Sequence, residues 1–135
     1  MQTTRAVFDA SALVRATVGR SEAARVWTER AESGEISALT AELVWVEVAH
    51  VFRRAVRSGI STADAASRSL AWLVALPIES RPIREMAGAA LNRALETGLS
   101  VYDACYLVLA DAADATLVTA DVRLAEAASK AELIA

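Results

Sequence analysis

The 135-residue sequence predicts an α/β fold, one domain over residues 1–135 with a central, mostly parallel sheet of four to five short strands flanked by helices. Three observations carry that expectation. Short apolar runs alternate with longer helical patterns, and strands separated by helices pair in parallel. Apolar residues make up 55% and charged residues 23%, a globular balance whose apolar share comes largely from alanine, a helix former. The first apolar run, Arg5-Ala6-Val7-Phe8, ends in Asp9-Ala10-Ser11, which reads as a buried strand running into the cap of a helix.

Taken in order, residues 5–9 are a first strand. Ser11 caps a short helix over about 12–18, ended by Gly19. Ser21 caps a helix over about 22–33, with Val26 and Trp27 facing inward and Gly34 at its end. Ile36-Ser37-Ala38-Leu39 is a second strand, and Thr40 opens a long helix over about 41–57, closed by Gly59. Ser61-Thr62-Ala63-Asp64 has capping-box spacing and opens a helix to about 74. Leu76-Pro77-Ile78-Glu79 is a third strand, placed at a sheet edge by its proline. Residues 83–97 are helical and stop at Gly98, and Ser100 caps a helix over about 101–113. Residues 115–119 form a buried fourth strand, a helix over about 122–129 follows, and Leu133-Ile134 is a candidate fifth strand.

Composition excludes several classes. No apolar run reaches the ~18 residues a membrane span needs. Met1-Gln2-Thr3-Thr4 has no basic segment leading into an apolar one, so nothing marks secretion. A single cysteine, Cys105, excludes an internal disulfide and fits a reducing cytoplasm. The net charge of −3 argues against blanketing phosphate with lysine, of which there is one, Lys130; nearly all positive charge is arginine, suited to forked phosphate contacts.

Chemistry concentrates in four acids. Asp9 and Asp121 each follow a buried strand and precede a helix, and either alone is an ordinary turn or cap residue. Glu47 lies among Leu43, Val44, His50 and Val51 on a helix face, where a carboxylate is either at the rim of a cleft or paired, here with His50 or Arg54. Asp103, three residues after Ser100, is favourable as a cap from the helix dipole alone. Asp64 has the same spacing but opens a polar surface helix and is only a cap. Asp103 opens an apolar, aromatic helix that must be buried, which holds its carboxylate at an interior edge.

A parallel sheet gathers these residues. Asp9 and Asp121 fall at the carboxyl ends of their strands. Asp103 starts the helix returning toward the fourth strand, and Glu47 lies early in the helix leaving the second. Ligands of open α/β sheets bind at that edge. Four carboxylates there repel one another, and a hard divalent cation with oxygen ligands resolves the repulsion, so Mg2+ or Mn2+ is the expected cofactor. Zinc is excluded by one histidine, one cysteine and no ligand spacing. Carboxylate-held divalent ions bind phosphates, activate water and stabilise leaving oxygens, so phosphodiester hydrolysis is the leading chemistry.

Asp9-Ala10-Ser11, Val46-Glu47-Val48-Ala49, Tyr102-Asp103-Ala104 and Thr119-Ala120-Asp121, in that order, resemble the PIN-domain nucleases. The element order and the phrase Gly98-Leu99-Ser100-Val101-Tyr102-Asp103-Ala104 are similar to the VapC-type toxins of type II toxin–antitoxin pairs, over nearly the whole chain. The resemblance implies a PIN-like three-layer fold and a metal-dependent endoribonuclease acting on RNA. It also implies a homodimer and a small cognate antitoxin whose tail enters the acidic cleft. Carried over, Asp9, Glu47, Asp103 and Asp121 are the catalytic, metal-holding residues, with Ser11 and Thr119 as polar supports.

His50 reads as a helix-face residue and Cys105 as core. Trp27, Trp45 and Trp72 read as core or as lining for an antitoxin groove. Asp111 and Asp114 read as solvent-facing at a helix end. Arg53, Arg54 and Arg57 read as a solvated helix face, and Arg15 as a phosphate contact. An aspartyl phosphatase needs a second aspartate where Ser11 stands, a receiver domain needs a late lysine, and a dinucleotide binder needs a glycine-rich loop. The competing class is a PIN-like binding or scaffold protein without turnover.

Overall fold

The computed structural model describes residues 3–18 and 21–134. Among these residues five strands make one all-parallel sheet: β1 (Thr4–Phe8), β2 (Ile36–Ala41), β3 (Ile78–Arg81), β4 (Thr116–Thr119) and β5 (Ala131–Leu133), in the order β3-β2-β1-β4-β5. Among the described residues seven α-helices connect them: α1 (Ala10–Arg15), α2 (Glu22–Glu32), α3 (Val44–Arg57), α4 (Ala63–Ala75), α5 (Ala87–Thr97), α6 (Val101–Ala113) and α7 (Val122–Ala127). A 3₁₀ turn at Arg84–Met86 leads into α5.

The strand order carries the layering. The chain steps from β1 to β2 to β3 in one direction, then crosses back past β1 to β4 and β5. Right-handed crossovers therefore put α1–α4 on one face and α5–α7 on the other. Helix α1 packs against α2 and α3, and α3 against α4, whereas α6 packs against α5 and lies over β1, β2 and β4. The direction reverses between β1 and β4, which lie side by side in the register Ala6 to Thr116 and Phe8 to Val118. Because β1 is covered on both faces, Ala6, Val7 and Phe8 are all fully buried. The core continues through Leu13, Val44, Val48, Leu107, Leu117 and Leu124.

Several expectations are corrected. Asp9, not Ser11, is the N-cap of α1: its Oδ1 accepts from Ala12 N at 2.9 Å, while Ser11 lies inside the helix. Asp9 comes first after the apolar run, so it meets the orphan amides of the opening turn. Thr40 does not open α3. It continues β2, fully buried, and its hydroxyl donates to Phe8 O at 2.8 Å across the strand pair, while α3 begins at Val44 with no side-chain cap. Thr62 rather than Ser61 caps α4. Val26 is 44% exposed because the buried stripe of α2 is Ala24, Thr28 and Ala31. Trp72 is exposed on α4. Helix α7 ends at Ala127, and β5 begins at Ala131, earlier than expected. Gly19, expected to end the first helix, lies outside the described residues.

Other expectations hold. The third strand is an edge strand preceded by Pro77. Gly98 takes a left-handed conformation (φ 77°) after α5, and Ser100 caps α6, its Oγ accepting from Asp103 N at 3.1 Å. Cys105 is buried in the core, and Asp111 and Asp114 are exposed in ion pairs with Arg93 and Lys130. Among the described residues no helix is long and apolar enough to cross a membrane.

Candidate active site

At the carboxyl end of β1, Asp9 is only 4% exposed and is held by three donors. Ser11 Oγ donates to Oδ1 at 2.7 Å, Ala12 N to Oδ1 at 2.9 Å and Thr119 Oγ1 to Oδ2 at 2.5 Å. Both hydroxyls are themselves pinned by backbone, since Ala120 N donates to Ser11 Oγ at 2.9 Å and Asp121 N donates to Thr119 Oγ1 at 3.0 Å. A closed polar ring thus ties the end of β1 to the end of β4, where the sheet reverses direction. Ser11 and Thr119 therefore both stand in hydrogen-bond contact with Asp9.

Asp121 caps α7, its Oδ1 accepting from Arg123 N at 2.9 Å and Leu124 N at 3.2 Å. Glu47 and Asp103 lie in the first turns of α3 and α6, where the helix dipole favours a negative charge. Glu47 Oε1 accepts from Tyr106 Oη at 2.6 Å. Neither His50 nor Arg54 pairs with Glu47; the ion pairs among the described residues join other groups.

Electrostatics links the four carboxylates. Burial pushes the Asp9 carboxyl above its ordinary value; the bonds from Thr119, Ser11 and Ala12 pull it back, and the charge of Asp103 pushes it further up. Burial also raises Glu47, opposed by the Tyr106 hydrogen bond and reinforced by the charges of Asp103 and Asp9. Asp103 is raised by burial and by Asp121, against the Ser100 hydroxyl and the Arg123 guanidinium. Asp103 therefore interacts with each of the other three. Protons or a cation must offset such a cluster.

The donor chemistry fits a hard divalent ion, because every candidate ligand is oxygen and His50 and Cys105 contribute nothing. Among the described residues no group of three or more His, Cys, Asp or Glu side chains is arranged to hold a metal ion as it stands, so the fit to a cation is one of donor chemistry. The candidate arginines Arg15, Arg53, Arg54 and Arg57 are exposed.

Tyr106 and Arg123 lie outside the sequence reading. Tyr106 had a usable signal: it follows Asp103 by three residues, one turn along the same helix. Arg123 had only its position two residues after Asp121. Its Nη2 approaches Gly98 O at 3.5 Å, and it is the one cation whose charge bears on Asp103 among the groups that shift it.

Five parallel strands flanked by helices define an α/β protein, with Asp9 and Asp121 at the carboxyl ends of β1 and β4, where the strand order reverses. The chain belongs to the PIN domain family, whose model matches residues 6–130. It is 36% identical over 124 residues to Ribonuclease VapC3 of Pyrobaculum aerophilum, covering 89% of this chain and 92% of that protein. Two solved structures share the fold. PAE2754 from Pyrobaculum aerophilum has a TM-score of 0.78 at 24% identity, covering 97% of this chain and 91% of that one. VapBC2 from Rickettsia felis, solved bound to a DNA fragment from its promoter, has a TM-score of 0.69 at 14% identity, covering 96% and 98%.

Proposed function

We propose that this chain is a metal-dependent endoribonuclease, the toxin of a type II toxin–antitoxin pair, working as one catalytic domain in the cytoplasm. The observation that carries the reading is that Asp9 and Asp121 follow the carboxyl ends of β1 and β4 while Glu47 and Asp103 lie in the first turns of α3 and α6, which supports one acidic site at that sheet edge. The likeness to Ribonuclease VapC3 supports RNA as substrate, and the VapBC2 neighbour supports an antitoxin partner. A homodimer follows from the resemblance to VapC-type toxins.

Asp9, Glu47, Asp103 and Asp121 hold the Mg2+ or Mn2+. When bound, such an ion supplies Lewis acidity at phosphate and lowers the pKa of a coordinated water. The chain's own groups fix the geometry. Ser11, Thr119 and the Ala12 amide hold Asp9 rigid, Tyr106 holds Glu47, and caps seat Asp103 and Asp121 at helix starts. Arg123, beside Asp103, offers positive charge to an approaching phosphate.

The test is cleavage of single-stranded RNA by wild type and by Asp103→Asn, with Mg2+, with Mn2+ and with EDTA. Cleavage by wild type with metal, abolished by EDTA and by the substitution, is the expected result. Cleavage that persists in excess chelator overturns the metal requirement. Wild type that binds metal yet cuts no RNA favours the binding-protein alternative.

A further inference from the structure

We propose that Tyr106 is a positioning residue for metal binding: its phenol fixes one oxygen of Glu47 and leaves the other as the donor to a divalent cation. The inference rests on the metal-site reading above and deepens it. The four acids are restrained unequally. Asp9 has three donors, and Asp103 and Asp121 are short side chains seated at capped helix starts. Glu47 has the longest side chain of the four, on a helix start without a side-chain cap. Its one hydrogen bond from a side chain, among the described residues, is the 2.6 Å contact to Tyr106 Oη, and it uses Oε1 only.

Tyr106 is suited to this work. It is 1% exposed, so its hydroxyl cannot turn to bulk water, and Glu47 is the acceptor it has. The contact also spans the sheet edge, joining α3 of one helical layer to α6 of the other across 59 residues of chain. Because Asp103 lies one turn earlier on α6, one helix carries an acid of the site and the brace for a second. The separation of Asp103 and Glu47 is thereby set by α6 rather than left to the flexible glutamate. Outer partners of this kind orient ligands and, when removed, weaken metal binding by about 10–100-fold.

The experiment is Mn2+ binding to the full chain, followed by calorimetry and by the spectroscopic signal of free Mn2+, for wild type, Tyr106→Phe, Glu47→Gln and the double variant. Phenylalanine keeps the buried ring, and a thermal melt in EDTA verifies that each variant is folded. The expected result is a loss of about 10–100-fold for Tyr106→Phe, at least as large a loss for Glu47→Gln, and almost no added loss when Tyr106→Phe is placed on Glu47→Gln. Unchanged affinity in a folded Tyr106→Phe, or an equal loss on the Glu47→Gln background, overturns the inference while leaving the site reading intact. Wild-type affinity in Glu47→Gln overturns the assignment of Glu47 as a ligand and this inference with it.

Discussion

Replacing Asp9 with asparagine should abolish metal binding and yet stabilise the metal-free protein. The structure permits the swap with a partner for each polar atom of the new side chain. Asparagine Oδ1 keeps the bonds from Ser11 and Ala12, and its amide nitrogen faces Thr119 Oγ1. The Thr119 hydroxyl then turns its proton to Ser11 Oγ, 3.3 Å away, and accepts from both the new amide and Asp121 N. Bonds to a charged acceptor contribute about 1.5–3 kcal/mol and bonds to a neutral one about 0.5–1.5, so three weakened bonds cost about 3 kcal/mol. Removing a buried, ionised carboxylate returns several kcal/mol, about 5. The net is about 2 kcal/mol in favour of asparagine, or about 8 °C in Tm at this size. Its sign agrees with the raised Asp9 carboxyl, where burial outweighs the three donors. The assay is thermal unfolding in EDTA between pH 4 and 8. In wild type the folded carboxyl takes up a proton as pH falls through its raised pKa, so wild-type stability is least above that value and recovers below it. The lead of Asp9→Asn should therefore be full above that raised pKa and shrink as pH falls through it. Glu47 and Asp103 titrate in both proteins, and the variant also relieves them of the Asp9 charge, so the difference reads Asp9 together with its interaction with these two neighbours. An asparagine variant no more stable at pH 8, or a lead constant between pH 4 and 8, refutes the reasoning.

Divalent cations should have the opposite effect on wild type. Mg2+ or Mn2+ at 100 times its Kd should stabilise the fold by about 2.7 kcal/mol, read as a rise in Tm that EDTA reverses and that Asp103→Asn lacks. Leu117→Ala, at a fully buried position on β4, should cost about 2–5 kcal/mol in urea unfolding. Gly98→Ala should cost about 1–2 kcal/mol by the same measure, because any side chain there meets the left-handed backbone at φ 77°. Ser100→Ala removes the cap of α6 and should cost about 1 kcal/mol, with hydrogen exchange accelerating first at the amide of Asp103.

The positions of the candidate acids were legible where they coincide with a local rule. Asp9 and Asp121 follow buried strands, and Asp103 opens a helix too apolar to be a surface one. Those patterns hold at short range and survive folding. Ser11 and Asp9 compete for one cap two residues apart, and propensity ranks them together, so the choice depended on where β1 stops. Thr40 looked like a helix opener because threonine caps helices, but a β-branched residue serves equally to extend a strand, and a tertiary bond to Phe8 O decides between them. The buried face of α2 is built from alanine and threonine, so a reading weighted by large apolar residues turned the helix toward Val26. Tyr106 could not be paired with Glu47 from sequence, since the contact exists only once helices from both faces of the sheet reach its edge.

The hydroxyl ring around Asp9 also bears on synthesis. Its closing member, Thr119, stands 110 residues after Asp9, and Asp121 follows two positions later. A nascent or truncated chain that stops before β4 lacks that neighbour of the central strand, the hydroxyl on Asp9 Oδ2 and the fourth carboxylate together. The proposed acidic site is therefore completed late in synthesis, and any shorter fragment carries Asp9 without the Thr119 hydroxyl and without Asp121.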